Sequence, residues 1–413
     1  MRNGQSAQYP WGMLASVYIT QYIGIAFILS AAVAILRQQG IALDKLALLN
    51  LAVLPMMGKL LYAPFIDKYK AFLQGKYRSW LIISQSCMTL LLLIAGLMDF
   101  SSQFHLIITC LAFYAFFTSI QDVSIDGLSC KLFPPDKRKL ASSIQFSGNL
   151  LGNILGGGLI LMFYSSLEWQ GALWVIALLT SLSLLQTIFF QEPNDLDEDD
   201  INPENPTNLL YAIKVFVLEH KSWFTILALY PIASTCGFSL INPLLVDHGW
   251  ALGDIGFVMK IYGSIIGLIS ALLAAPLIAR IGQALALSSA ILLQVIALAM
   301  VIPLTLGSLD KTMVYAAVTL HFMSFPALLV ITSTIIIDKA ADTHHKATFF
   351  TLQFSFASLL GFLYSGISMT IAKHVGYSTV VTIGTMLSIC IAFFIVLSLK
   401  RKTAQYTRQH SLL

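Results

Sequence analysis

Ile144-Gln145-Phe146-Ser147, followed shortly by Leu150-Leu151-Gly152, is met again as Leu352-Gln353-Phe354-Ser355 and then Leu359-Leu360-Gly361. Two further stretches repeat in the same way. Gly40-Ile41-Ala42-Leu43-Asp44 and Ala63-Pro64-Phe65-Ile66 correspond to Gly249-Trp250-Ala251-Leu252-Gly253-Asp254 and Ala275-Pro276-Leu277-Ile278. Corresponding positions stand about half the chain apart, so the chain reads as two copies of one unit. Asp44 and Asp254 open their apolar runs as natural N-caps, because a short carboxylate side chain accepts from the free N–H groups of a first helical turn.

The material between these repeats fixes the class. Apolar residues make up 57% of the 413 residues and charged residues 11%, less than half of the roughly 25% a soluble domain carries. Apolar runs long enough to cross a hydrocarbon core of about 30 Å recur along the whole length. In lipid the backbone must satisfy its own hydrogen bonds, so long runs mean helices, whereas a barrel shows short alternating segments. The expected spans are 11–36, 44–66, 80–98, 105–130, 140–164, 171–191, 222–246, 254–278, 283–304, 312–337, 347–372 and 377–399. The expected fold class is therefore all-α integral membrane with twelve transmembrane helices. It divides into an N-terminal six-helix bundle (1–191), an acidic linker (192–221), a C-terminal six-helix bundle (222–399) and a basic tail (400–413). Six spans return a chain to its starting side, so the two copies share one topology about an axis along the membrane normal; inverted repeats need an odd number.

Charge gives an orientation. With both termini cytoplasmic, eighteen of the 24 Lys and Arg residues fall on the cytoplasmic side, four outside (Arg37, Lys45, Lys311, Lys373) and two, Lys59 and Lys260, within spans. That asymmetry follows the positive-inside rule; the expected location is a bacterial inner membrane, multi-pass, and the expected state is a monomer. Trp11, Trp80, Trp169, Trp174, Trp223 and Trp250 stand at or near span ends, where an amphipathic ring favours the interface. Glu192, Asp195, Asp197, Glu198, Asp199, Asp200 and Glu204 make the linker a solvated acidic segment. The first run is too long for a signal-peptide core and reads as a retained span. The five cysteines are scattered through apolar segments without a CxxC pair, so neither a metal site nor a disulfide framework is expected. No HExxH, GxSxG or Walker A pattern occurs, His344-His345 is an isolated pair, and nothing in the charge calls for nucleic acid. The sequence therefore points to a transporter, without cofactor, rather than an enzyme. The Gly156-Gly157-Gly158 run, with Gly152 before it, lies inside a span and reads as close helix packing.

Ionisable groups inside spans carry the chemistry, since each costs about 2.5–3.5 kcal/mol at a helix centre unless paired or wet. Asp122 and Asp126 share one side of the fourth span by their i,i+4 spacing, and Lys59 lies at matching depth on the second. Lys59 with either aspartate makes a fixed ion pair, or one aspartate exchanges a proton as access alternates; Asp122 is the better proton-coupling candidate and Asp126, nearer the surface, the better helix cap. His321, mid-depth in the tenth span, is a further relay candidate or a packing histidine. Lys260 either attracts an anionic ligand or snorkels to the interface.

The loop Asp67-Lys68-Tyr69-Lys70 with Gly75-Lys76-Tyr77-Arg78 resembles the signature loop of the major facilitator superfamily, and the parallel repeat is that fold's arrangement. The resemblance assigns Asp67, Lys68, Gly75, Lys76 and Arg78 to a cytoplasmic gate, although Ala63 stands where the motif has glycine and the loop is longer. It also implies that the first, fourth, seventh and tenth spans line a cavity, giving Gln21, Tyr22, Tyr114, Gln121 and Tyr230, with Gln145 and Lys260, as substrate-binding candidates; amides and aromatics suit a large hydrogen-bonding ligand. Leu36-Arg37-Gln38-Gln39-Gly40, Leu54-Pro55, Gly58-Lys59-Leu60-Leu61-Tyr62, Gln121-Asp122-Val123-Ser124-Ile125-Asp126-Gly127 and Pro134-Pro135-Asp136-Lys137-Arg138 resemble one branch of that superfamily: AmpG-like muropeptide permeases, acetyl-CoA transporters and RhtX/FptX siderophore permeases. Among these the chain is most similar to the siderophore permeases, which implies proton-coupled import of a siderophore from periplasm to cytoplasm by alternating access. Muropeptide uptake and export are the alternatives.

Overall fold

A computed structural model describes residues 9–32, 35–36, 49, 52–71, 75–99, 102–193, 209–250, 252–308 and 310–410. Arg37, Lys45, Asp44 and most of the acidic linker lie outside them. The described secondary structure is helical, as the hydropathy demands. Ten segments are long and apolar enough to cross a membrane. One of them, Asp254–Thr305, has 52 residues and is broken at Gly282, whose φ of +79° ends one helix and starts the next, so it holds two of the twelve expected spans. The second expected span is described only in part, from Ala52 through a 3-10 turn over Leu54–Gly58 into a ten-residue helix.

The chain forms two compact units, Met1–Asp200 with Ile336–Leu352, and Ile201–Ile335 with Gln353–Leu413. The first contains α1 (Trp11–Ala26, continued by a π turn over Phe27–Ala31), α2 (Lys59–Lys68), α3 (Lys76–Gly96), α4 (Phe104–Leu132), α5 (Pro135–Asn153, continued by a π turn over Ile154–Leu159) and α6 (Tyr164–Phe189). The second contains α7 (Leu209–Glu219), α8 (Lys221–Thr235), α9 (Gly263–Ala299), and most of α10 (Lys311–Ala341), α11 (Lys346–Val375) and α12 (Tyr377–His410). The last residues of α10 and the first turns of α11 pack with the first unit, so the division by packing departs there from the one drawn on the sequence. Residues 209–219 of the expected linker are helical.

Within the first unit, glycine sets how closely α1 and α5 approach. A Cβ at Gly156 would stand 1.9 Å from the Ile23 carbonyl oxygen, and one at Gly152 2.6 Å from Tyr22 Cβ. The contact register is thus Gly148, Gly152 and Gly156, one turn apart. The triple-glycine run does not supply it as a whole, because Gly158 has open space around it. Two tryptophans expected at the interface are core residues: Trp169 donates its indole N–H to the Ala95 carbonyl at 3.0 Å and packs on Phe27, and Trp223 donates to Gln353 Oε1 at 2.8 Å.

Candidate functional site

The polar interior of the first unit is assembled from four helices. α4 presents Asp122 and Asp126 one turn apart, and α2 begins at Lys59, whose ammonium pairs with Asp122 Oδ2 at 2.6 Å. Gln21 of α1 donates to the other oxygen, Asp122 Oδ1, at 2.6 Å. Asp126 Oδ1 accepts from Tyr18 of α1 at 3.0 Å and from Gln145 of α5 at 2.9 Å. Both carboxylates are buried, at 4% and 1% exposure. Each oxygen described is held by a donor fixed in packed helix, which limits the freedom of either carboxylate to reorient.

The two aspartates are not equivalent. Asp122 has a cation in contact; Asp126 has two neutral donors and no ion pair among the described residues. The expected cap role for Asp126 is wrong for a physical reason: it lies inside α4, six residues before Leu132, and its side chain crosses to α1 and α5 rather than folding back on the helix end. Around this cluster, Gln121 anchors α4 to α1 through the Val17 carbonyl at 2.8 Å, and Tyr62 hydrogen-bonds Ser119. The buried acceptors Gln21 Oε1 and Gln121 Oε1 take no hydrogen bond from the described residues. Tyr22 is half-buried and shares a hydrogen bond with Asn149 of α5.

Other expected site residues lie elsewhere. Tyr114 is wholly buried in the apolar core with Phe27 and Leu111, its hydroxyl in the space that Gly24 leaves open, so it is a packing residue. In the second unit His321 stacks on Phe238 with ring centroids 3.4 Å apart and meets Gln294 Nε2 at 3.0 Å, while Ser324 donates to Gln294 Oε1 at 2.5 Å. That is a packed imidazole, stacked and hydrogen-bonded within its unit. Tyr230 is buried beside Thr332, and Lys260 is exposed on a π turn over Phe257–Tyr262.

The gate residues form a second cluster. Asp67 is buried and accepts from the Tyr77 hydroxyl at 2.6 Å, from the backbone N–H groups of Ala347 at 3.1 Å and Thr348 at 2.6 Å, and from Thr348 Oγ1 at 2.6 Å. A carboxylate here satisfies the free donors of α11's first turn and complements its dipole. Gly75 has φ +88°, and a Cβ there would meet Glu192 Cβ at 2.6 Å. Arg78 donates to the carbonyls of Thr187 and Ile188 at the end of α6, and Lys68 lies over the Tyr69 ring. Lys76 is half-buried in the first turn of α3.

Three partners here escaped the sequence. Glu192, read as part of the solvated linker, is buried, pairs with Lys131 at 2.8 Å and accepts from Arg78 N at 2.8 Å. Its place directly after a span and before Pro193 was the available signal. Arg138 pairs with Asp338 at 2.8 Å and donates to the Phe133 carbonyl. Among the described residues no group of three or more His, Cys, Asp or Glu is placed to hold a metal.

The sequence signature of the Major Facilitator Superfamily matches residues 14–365. The anhydromuropeptide permease of Escherichia coli (strain K12) is 25% identical over 227 residues, 54% of this chain and 46% of that protein. The chain thus spans about half the length of that relative. A protein of Rickettsia prowazekii (strain Madrid E) named as transporter AmpG 3 is 26% identical over 375 residues, 84% of this chain and 85% of that one. The human organic anion transporter MFSD10 (TETRAN) superposes with a TM-score of 0.71 at 13% identity, covering 93% of this chain and 98% of its own. The proton:xylose symporter XylE gives 0.68 at 12%, covering 94% of each. The signature match shows the superfamily and the structural likenesses show the fold; the curated relatives of the AmpG kind are similar at 25–26% identity, and the expected closeness to siderophore permeases finds no support in them.

Proposed function

The chain belongs to the Major Facilitator Superfamily, as a multi-pass membrane transporter and not an enzyme, and on that premise we propose that it carries muropeptide fragments, sugar–peptide conjugates, inward across the bacterial inner membrane with protons. The observation that carries the coupling is the count of buried charge. Among the described residues of this cluster two carboxylates, Asp122 and Asp126, stand beside one ammonium, Lys59, and all three are buried. Ionised together they leave one negative charge in excess, which a low-dielectric interior penalises by several kcal/mol. One proton closes the count. Asp126, with no cation in contact, is the group that takes it; Asp122 is committed to Lys59 and Gln21. This reverses the preference read from the sequence. Alternation of access then exposes the cluster to one side at a time, so the proton enters from the periplasm and leaves to the cytoplasm with the ligand.

The substrate class rests on the AmpG-branch relatives rather than on geometry. Uptake of radiolabelled anhydromuropeptide into vesicles bearing the full chain tests it, with and without a protonophore and with iron-siderophore as competitor. Accumulation that the protonophore abolishes and the siderophore leaves untouched is the expected result. Siderophore accumulation in its place restores the reading first drawn from the motifs, and accumulation outward under an inverted gradient marks an exporter.

A further inference from the structure

The proton cluster leaves a polar surface of the first unit unexplained. Gln145, Asn149 and Asn153 follow one another at i,i+4 along α5, so they form one stripe. Only Gln145 is engaged with the carboxylates. Asn149 and Asn153 stand near the middle of the span Pro135–Met162 and are half-exposed. Two amides open to hydrocarbon at that depth would be costly, and their position on the helix shows that they avoid it. Leu151, about 200° around the helix from each of them, and Leu140, about 180° from Asn149, mark an apolar side at 3.6 residues per turn. Gly148, Gly152 and Gly156 press the adjoining side against α1. The amides therefore point away from that apolar side, with Tyr22 beside Asn149.

Their mutual geometry is preset. Asn153 Nδ2 donates to Asn149 Oδ1 at 2.8 Å and to its carbonyl at 3.0 Å, and Asn149 is also held by Tyr22. Asn153 Oδ1 takes no hydrogen bond from the described residues. An amide cannot exchange a proton at neutral pH, so Asn149 and Asn153 take no part in the proton exchange proposed at Asp126. An amide does match another amide, offering a donor and an acceptor in one plane. We infer that Asn149, Asn153 and Tyr22 form the ligand subsite that recognises secondary amides, the acetamido and peptide groups of a sugar–peptide substrate; this rests on the muropeptide reading for the ligand but not for the site.

Two measurements separate the site from the ligand. In proteoliposomes bearing the full chain, Asn149→Ala with Asn153→Ala raises KM for anhydromuropeptide about tenfold, the equivalent of one or two hydrogen bonds, with the maximal rate within about twofold. A purely structural role for the amides would lower the rate and the yield together and leave KM unchanged, which overturns the inference. Independently of any substrate, Asn153→Cys is labelled by a water-soluble maleimide above the wild-type background, and anhydromuropeptide protects it. Absence of labelling overturns the subsite. Labelling in a chain that transports no anhydromuropeptide sinks the muropeptide reading alone, and protection of Asn153→Cys by another N-acetylated peptide then upholds the subsite.

Discussion

Gln145 and Gln353 occupy the same place in the two repeats and are used differently. In the first unit Gln145 donates to a buried carboxylate; in the second, Gln353 accepts from the indole of Trp223. In the register that aligns them, Asp126 falls on Thr334 and Asp122 on Val330, and Lys59 falls on Ala271 in the register of the two Ala-Pro pairs. Among the described residues the interior of the second unit holds no buried Asp, Glu, Lys or Arg, and its central network is an imidazole, an amide and a hydroxyl, His321, Gln294 and Ser324. The duplicated scaffold keeps its helices, the Ala-Pro pair and the glutamine at 145 and 353, while the buried charge among the described residues lies in one copy. Paired charges are costly to expose or to break singly, so the proposed coupling falls to the first unit.

The largest effect expected from this contrast is on transport. Asp126→Asn keeps the hydrogen bonds from Tyr18 and removes the titrating oxygen, so the accumulation ratio falls to about one while downhill exchange persists, since no coupling free energy remains. Asp122→Asn should instead disturb stability first, because it neutralises the carboxylate that Lys59 pairs with. Uphill uptake by Asp126→Asn at the wild-type level would erase the distinction between the two carboxylates. Next in size, Lys59→Ala leaves Asp122 buried and unpaired and should cost about 3–5 kcal/mol, most of it recovered when Asp122→Ala is added. His321→Leu in the second unit loses one neutral hydrogen bond and should cost about 1–2 kcal/mol. Unfolding midpoints in denaturant rank the two, and equal losses would break the comparison.

The gate cluster gives a smaller effect. Thr348→Val removes one of Asp67's four donors and should cost about 1 kcal/mol in the same assay. Smallest is the response to pH at His345, half-buried in the turn before α11. Burial pushes its imidazole below the ordinary 6.5; the nearby Asp67 opposes this, and His344 and Lys76 add to the lowering. With the folded value depressed, the unfolded chain takes up the proton first. Stability is therefore level above pH 6.5 and declines as pH falls below it, and His345→Gln should flatten that decline in thermal scans between pH 7 and 5.

Architecture was legible because lipid admits few solutions: apolar runs, the Ala-Pro and Gln-Phe-Ser repeats and the charge of the loops all report on it. The depth match between Lys59 and the aspartates of α4 was legible for the same reason, since rise per residue is fixed. Which aspartate met the lysine was not, because i,i+4 neighbours share a helix side and differ only in the helix they face. Glu192 was hidden by its sequence context, an acidic run whose other members suggested solvent. Tyr114 was misplaced because span membership says nothing of rotation about the helix axis; the small residue that receives its hydroxyl, Gly24, lies on another helix. Asn149 and Asn153 were overlooked beside the glycines that shape the same helix.

The most direct test is proton entry on addition of ligand. Proteoliposomes loaded with a pH-sensitive dye and bearing the full chain should acidify when anhydromuropeptide is added outside, and those bearing Asp126→Asn should not, while both still exchange labelled ligand. Equal acidification in the two, or ligand uptake by the wild type with no proton entering, would contradict the account.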